Sequence, residues 1–474
     1  MTDRMQQLTL GQLDCLHGAS MDILMNTGIS FNSDRVTRLC KKHKIKTDGE
    51  KVFLTEKDIL KALATAPAQF TIKARNPEKS VVIGEENYIF LPTGGAPNVV
   101  MPSGKQRPAT MEDFCTCCKL VQTSQQLDMG GYLMVQPNDI QLETAHLDML
   151  FDYITLCDKP IFGASGSGRA ALDSIKMAGM IWGGEEKIKD APILVSNVNA
   201  MSPLQYSNEQ SEAIMMMAQW RQPVVISNMV MAGSTGPLSL PGLLALQNAE
   251  ILAGMVLTQL VTPGTPVVYG STSAPMDMKS MTPAVGAPET VIITSATAQL
   301  ARYYKVPCRT GGMLADAHCA DVQAIAEGTL LLSTAVRNGA NLIYHAAGQM
   351  GSFISMGFEK WIMDEEVCAM VRRLFTPMEI TAETIDIDTI KNVGVGGNYL
   401  THLKTFEQFR NLYQPGLFIR KSYRKWIDSG AHSIFESATK ALRKRLDEYQ
   451  APPMDPELKK EIQNFLTIQK NGKT

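Results

Sequence analysis

From residue 88 onward one pattern recurs along the chain: a short apolar run, often opened by a proline, ends in small polar residues and gives way to a helical periodicity. The runs are 88–91 (YIFL), 129–135 (MGGYLMV), 160–164 (PIFGA), 192–196 (PILVS), 223–227 (PVVIS), 266–270 (PVVYG), 307–310 (PCRT) and 341–345 (NLIYH). They come roughly every 30 to 40 residues, the size of a βα unit. They are continuously apolar rather than alternating, as strands covered on both faces must be. The intervening helices announce themselves. Ser207-Asn-Glu-Gln210 fits a capping box leading into Ala213, Met217 and Trp220. The stretch 320–337 is strongly helical and stops at Asn338-Gly339. Eight strands, each followed by a helix, predict an α/β chain folded as a closed (β/α)8 TIM barrel. An open doubly wound sheet is the alternative, and 88–91 could instead belong to β structure ahead of it.

The flanks read differently. Residues 1–87 form an N-terminal α+β extension: Leu13, Leu16, Met21 and Leu24 have helical spacing, Thr55-Glu-Lys-Asp58 is a helix start, and 70–75 and 80–83 are short β runs about Asn76-Pro77-Glu78. The barrel is expected over 88–379. Residues 380–474 are helical and charge-rich, especially 421–448, and read as an appendage through which the chain forms a homo-oligomer. With 45 Lys and Arg against 47 Asp and Glu, no nucleic-acid or anionic-membrane partner is implied. The longest apolar stretch, 251–261, is too short to span a bilayer. The first ten residues do not read as a signal peptide, and nine unevenly spaced cysteines make no disulfide framework. A cytoplasmic protein is expected.

In such a barrel the chemistry lies at the C-terminal ends of the strands. Those ends present Thr93-Gly94-Gly95, Gln136-Pro137-Asn138, Ser165, Asn197 with Asn199, Asn228, Ser271 with Thr272, Gly311-Gly312 and His345. This rim bears amides and hydroxyls, without a carboxylate pair or a Schiff-base lysine, so it orients a ligand by hydrogen bonds and supplies few protons. The loop 164–170 (ASGSGRA) mimics a dinucleotide fingerprint, but the acid expected after the next strand is missing, which favours a tight turn. Cys115, Cys117 and Cys118 lie in a helical pattern and read as small buried hydrophobes rather than zinc ligands. Asp316, His318 and Asp321 crowd the loop after the seventh strand, with Asp321 also placed to cap a helix. Arg309 lies inside that strand, where a buried guanidinium needs an anion. Tyr132 and Tyr269 lie in strands, and Phe353, Phe358 and Trp361 follow the eighth; aromatic faces attract quaternary ammonium groups, though core filling is the plainer reading of each.

The stretch 339–373 (GANLIYHAAGQMGSFISMGFEKWIMDEEVCAMVRR) resembles the trimethylamine methyltransferase family, the MttB-like corrinoid methyltransferases, as do 91–98 (LPTGGAPN), 311–321 (GGMLADAHCAD) and 393–402 (VGVGGNYLTH). The likeness runs along nearly the whole chain. It implies a (β/α)8 barrel that moves a methyl group from a methylated amine to Co(I) of a cobamide held by a separate corrinoid protein, with no tightly bound cofactor of its own. The trimethylamine enzymes carry pyrrolysine and this sequence has none, so it is similar to the branch that demethylates quaternary amines such as glycine betaine. Loss of a methyl from a quaternary ammonium frees a neutral tertiary amine, so neither an acid nor zinc is expected. By their positions at the predicted strand ends and the loops after them, His345, Asp316 and His318 are the catalytic candidates. Gln136, Asn197, Asn199, Asn228, Tyr269, Arg309, Phe353 and Phe358 are expected to bind substrate, and Gly94, Gly95, Gly311 and Gly312 to face the cobamide. Carnitine and proline betaine are alternative substrates, and a non-catalytic betaine binder is the alternative class.

Overall fold

The computed structural model describes residues 4–189 and 191–472. The repeated runs become parallel strands: β1 (Ile89–Phe90), β2 (Gly130–Gly131), β3 (Ile161–Phe162), β4 (Leu194–Asn199), β5 (Val224–Asn228), β6 (Val267–Ser271), β7 (Cys308–Gly311) and β8 (Leu342–Tyr344). They pair in the order β1-β8-β7-β6-β5-β4-β3-β2, every ladder parallel. The ring closes between β1 and β2 through Asp128: its N–H donates to the Phe90 carbonyl at 2.9 Å and its carboxylate accepts from the Phe90 N–H at 2.8 Å. The fold is therefore a (β/α)8 barrel, and 88–91 belongs to it.

The second strand is shorter than the run 129–135 suggests. Gly131 sits at φ +146°, and a β-carbon there would fall 2.3 Å from the Phe162 carbonyl oxygen, so the chain passes too close to β3 for any side chain. Two residues later Leu133 turns left-handed at φ +63°, which ends the extended backbone.

The helices between strands are α1 (Met111–Thr123), α2 (Ala145–Leu156), α3 (Gly168–Ile181), α4 (Asn208–Gln219), α5 (Leu240–Val261), α6 (Pro288–Tyr303), α7 (Val322–Arg337) and α8 (Phe358–Leu374). Ser207 and Gln210 form the expected reciprocal cap on α4, and Asp321 caps α7 by accepting from the Ala324 N–H at 3.1 Å. By length and composition α5 alone among the described helices could cross a membrane, but 83% of its apolar window is buried inside the fold, where it packs on the N-terminal helix Leu10–Asp22.

The barrel interior has an apolar floor. Ile89, Met129, Val195, Val225, Val268 and Leu342 pack with Phe70, Ile72 and Ile83 of the hairpin Gln69–Ile72/Val81–Gly84. The hairpin thus plugs the N-terminal end of the barrel, tied there by the Lys73 N–H to the Pro192 carbonyl at 2.9 Å. Each such fully buried aliphatic side chain stabilises by about 1.5–3 kcal/mol. Beyond α8, the helices Ile434–Asp447 and Pro456–Asn471 return to pack on the barrel's outer layer, the first on α8 and α1, the second on α2 and α3. The chain between them and α8 consists of short helices with many apolar side chains exposed.

Candidate active site

The open, C-terminal end of the barrel holds a cavity of about 610 Å³. Arg309, the second residue of β7, is only 3% exposed. Its Nη2 meets His345 Nε2 at 3.3 Å, while Nε and Nη1 have no hydrogen-bond partner. Among the described residues no carboxylate forms an ion pair with it; burial pushes the guanidinium down to about 10, opposed by the Tyr344 and Cys308 side chains. At neutral pH this is a buried, unneutralised cation with two free donor positions, an arrangement that is costly unless an anion completes it.

His345 follows β8 in a left-handed conformation, φ +60°. Its N–H donates to the Pro92 carbonyl at 3.1 Å and its carbonyl accepts from the Met313 N–H at 2.8 Å, so flanking loops hold the turn. Desolvation, then the neighbouring Arg309 charge, push the imidazole well below its ordinary value. A neutral ring that accepts from Arg309 through Nε2 keeps its proton on Nδ1, which closes no hydrogen bond of full geometry, although the Gln349 side chain beside the ring partly offsets the depression.

Aromatic rings converge on this pair. His345 lies nearly parallel to Tyr344 at 4.2 Å between ring centroids, with Phe353 edge-on to it at 5.2 Å. Phe162 meets Tyr344 at 5.2 Å, and the Arg309 guanidinium sits 5.2 Å from the Tyr344 ring centre. Tyr132, Phe162, Tyr344 and Phe353 all line the cavity. Gly94 makes room for them: a β-carbon there would lie 2.3 Å from the Tyr344 hydroxyl. Glu209, at the mouth, is held ionised by hydrogen bonds from its own backbone N–H and Ser207. No lining group titrates near neutrality: the imidazole is depressed, the guanidinium stays charged, the Tyr132 and Tyr344 phenols are pushed up by burial, and Glu209 is held down.

Of the residues named from sequence, the cavity brings together His345, Arg309, Asn197, Asn199, Thr272, Tyr132, Phe353, Gly94 and Gly95. Asn197 donates to the Asn199 amide oxygen at 2.9 Å, and Ser227 anchors both. Asp316 lies outside the lining and binds loops together. It accepts from the Val285 and Gly286 N–H groups, each at 2.9 Å, and from the Ser352 hydroxyl at 2.7 Å, beside the cavity-lining Phe353. His318 is exposed next to Gly351. Asn228 is fully buried against α5, donating to Glu250 at 2.7 Å. Tyr269 turns to the helical layer, donating to Asn248 at 2.9 Å. Gln136 donates to the neighbouring Pro137 carbonyl, Gly311 and Gly312 pack against Leu314 and Ala346, and Phe358 opens α8 against the core. The reading from sequence raised Tyr132 among the aromatics that attract a quaternary ammonium but preferred core filling for it, and it did not assign Phe162, Tyr344, Met229, Glu209 or Gln210 to a ligand. Phe162 ends its strand, and that position was the available signal; Glu209 and Gln210 read only as a helix cap. Cys117 and Cys118 are buried and Cys115 donates to Asp152 at 3.2 Å; the described residues contain no group of three or more His, Cys, Asp or Glu placed to hold a metal. Ser165 and Gly166 of the glycine-rich loop line the cavity, where the Ser165 hydroxyl bonds the Asn197 carbonyl.

A family model described as trimethylamine methyltransferase (MTTB) matches residues 2–473. The glycine betaine methyltransferase of Desulfitobacterium hafniense (strain Y51) is 38% identical over 460 residues, covering 97% of this chain and 96% of that protein. Trimethylamine methyltransferase MttB of Desulfitobacterium hafniense (strain DSM 10664 / DCB-2) is 30% identical, covering 94% of this chain and 90% of its own length. The proline betaine:corrinoid methyltransferase of Eubacterium limosum is also 30% identical, covering 96% of each. Among solved structures, the hydroxylamine complex of MtmB aligns with a TM-score of 0.53 at 11% identity, covering 94% of this chain and 89% of that one, a likeness of fold.

Proposed function

The chain belongs to the trimethylamine methyltransferase (MTTB) family, and from that membership we propose that it moves a methyl group from glycine betaine to Co(I) of a cobamide carried by a separate corrinoid protein, releasing dimethylglycine. One observation carries the choice of substrate: a buried cation without a counter-charge, Arg309, lies among aromatic rings. A betaine supplies both missing partners at once. Its carboxylate meets the free guanidinium donors, and its trimethylammonium head meets the faces of Tyr132, Phe162, Tyr344 or Phe353, at about 0.5–2 kcal/mol per ring.

His345 orients the guanidinium through Nε2 and offers Nδ1–H as a further donor to the substrate. The cavity holds the methyl donor still and excludes water, which supplies several kcal/mol of the barrier reduction. The methyl–nitrogen bond breaks with its electron pair staying on nitrogen, so the amine leaves neutral and no proton has to be delivered. This agrees with a cavity in which nothing titrates near neutrality. The acceptor cobalt supplies the displacing electron pair. No protein-bound metal or cofactor of this chain enters the step. Asn197, Asn199, Gly94 and Gly95 complete the cavity wall, while Asp316 acts on the reaction only through the loop carrying Phe353.

Homo-oligomer formation is supported by the apolar surface beyond the barrel, where Met378, Ile380, Leu400, Phe406 and Leu412 are exposed without cover from their own chain. A cytoplasmic setting follows from a reaction that needs a reduced cobalt acceptor. The deciding experiment is a screen of methylated amines with a cobamide acceptor in the Co(I) state, followed by methyl-Co(III) absorbance. Glycine betaine is expected to be the best donor. Activity on trimethylamine alone, or faster turnover of carnitine or proline betaine, overturns the assignment, and no transfer from any of them favours a binding protein.

A further inference from the structure

We infer that Gln349 is a positioning residue for betaine binding: lodged between three pieces of the cavity wall, its side-chain amide sets which nitrogen of His345 carries the proton, and through that ring it fixes the direction of the Arg309 guanidinium. The inference deepens the betaine reading above and rests on it for its kinetic consequences. Gln349 lies behind the cavity lining and is fully buried. Its amide oxygen accepts from the Thr93 hydroxyl at 2.6 Å and from the Gly94 N–H at 3.3 Å, both in the loop after β1. Its amide nitrogen donates to the Ser355 carbonyl at 3.2 Å, across the hairpin whose turn carries Phe353. A backbone N–H can only donate and a carbonyl can only accept, so the amide faces one way. The His345 ring lies against the same corner. A β-carbon on Gly94, whose N–H holds the amide oxygen, would stand 3.1 Å from His345 Cε1, the carbon between the two ring nitrogens.

The Arg309 contact occupies Nε2, which leaves Nδ1 to the amide oxygen. A cationic donor on one side and a neutral acceptor on the other polarise the ring in the same sense: proton on Nδ1, lone pair on Nε2. The opposite tautomer would set Nε2–H against Arg309 Nη2, donor against donor, and the guanidinium would lose its only hydrogen bond among the described residues. The bond to Nδ1 is not closed in the ligand-free protein, so its proton stays available to a carboxylate. The charged and titratable groups around the ring are few. Arg309 faces it from β7 and Tyr344 from its own strand, and Glu209 and Tyr132 stand elsewhere on the cavity wall. Behind it, α8 contributes Cys368, which donates to the Ala346 carbonyl at 3.4 Å, and the buried ion pair Lys360–Asp364, which holds the Met313 carbonyl at 3.0 Å and the Gly348 N–H at 2.8 Å. A carboxylate in place of the amide would draw a second proton onto the ring. The amide biases the tautomer without adding charge, which fits a cavity where nothing titrates near neutrality.

The test uses the full-length enzyme and two variants: Gln349→Met, which removes both polar ends at similar length, and Gln349→Glu, which keeps the acceptor and adds charge. Imidazole nitrogen resonances of isotope-labelled histidine are followed between roughly pH 6 and 9, with the His345 signals identified by their loss in His345→Asn. The ligand-free wild-type ring is expected to be protonated on Nδ1 and not to titrate. Gln349→Met is expected to populate the Nε2-protonated tautomer and to raise KM for glycine betaine about tenfold, with kcat changed by less than about threefold. Gln349→Glu is expected to bring the His345 titration up into that window. Its KM relative to wild type at the same pH is expected to rise about fivefold or more as pH falls through that titration, because Nε2 then turns a proton toward Arg309. Comparison at equal pH cancels Asp364, whose carboxyl burial pushes up to about 6. A wild-type ring protonated on Nε2 overturns the proposal. So does an unchanged His345 tautomer and titration in Gln349→Glu, whatever happens to activity, since a merely structural Gln349 would lower stability and turnover without moving either. Should Gln349→Met fail to fold, Gln349→Glu decides alone. If the wild-type enzyme transfers a methyl from no quaternary amine, the methyl-transfer reading fails, and the resonances of the ligand-free protein still decide the role of Gln349.

Discussion

The two ends of one barrel are built on opposite principles. Toward the floor, apolar side chains from successive strands pack against those of the hairpin in one buried cluster. Toward the mouth, one level up, the interior holds a guanidinium with two idle donors, an imidazole with an unpartnered nitrogen, and backbone at φ +60° for His345 and +77° for Phe353. Such features raise the energy of the free protein; left-handed non-glycine residues cost about 1–3 kcal/mol each. The floor offsets them, and the mouth is left poised for a ligand whose charges finish it. Stability and recognition are thus segregated along the barrel axis.

Replacing Arg309 by Met gives the sharpest test of this division. Catalytic efficiency with glycine betaine is expected to fall by about a thousandfold or more, since a charge-assisted carboxylate contact in a buried site is worth several kcal/mol. The melting temperature of the ligand-free protein is expected to hold or rise, because an unpaired buried cation has been removed. A large drop in melting temperature would break the division. Ile83→Ala, in the plug, is expected to do the reverse: a loss of about 2–4 kcal/mol in denaturant unfolding with KM for glycine betaine unchanged. Tyr344→Leu is a milder probe of the mouth. About 1–2 kcal/mol of cation–π and stacking attraction is lost, so KM is expected to rise roughly five- to thirtyfold, with kcat less affected.

The smallest effect is expected around neutrality. With the imidazole depressed well below its ordinary value, the rate should be flat between pH 6 and 9. Arg309 binds a carboxylate only when protonated, so affinity for glycine betaine is expected to fall as pH rises through about 10. The sign for stability is opposite. Between about 10 and the ordinary guanidinium value the unfolded chain binds the extra proton, so the Arg309 contribution to ligand-free stability rises with pH. Titrating binding and unfolding on the same sample separates the two slopes.

Much of the floor could be read from the chain. Runs such as 223–227 and 266–270 are apolar at consecutive positions up to their small last residue because both faces are buried, and they became β5 and β6 with little adjustment. The mouth was legible where polar residues stand at strand ends, as at His345, Asn197 and Asn199, and at Arg309, whose place inside a buried strand called for an anionic partner. Asn228 and Tyr269 sit in equivalent runs, yet their partners are Glu250 and Asn248 of α5, a choice made by the facing helix and invisible in local sequence. Phe162 looked like one more strand residue, and its role depends on Tyr344, far along the chain.

The order of residues by itself determined the repeat, and the repeat determined the barrel, because continuous apolar strands separated by capped amphipathic helices have few other ways to bury both faces. It also determined the family, through motifs spread over the whole length. Only the tertiary structure decided which polar groups go unpaired. Whether an Arg finds an acid depends on what the closed ring sets opposite it, and here Arg309 was set opposite an imidazole and a cage of aromatic rings.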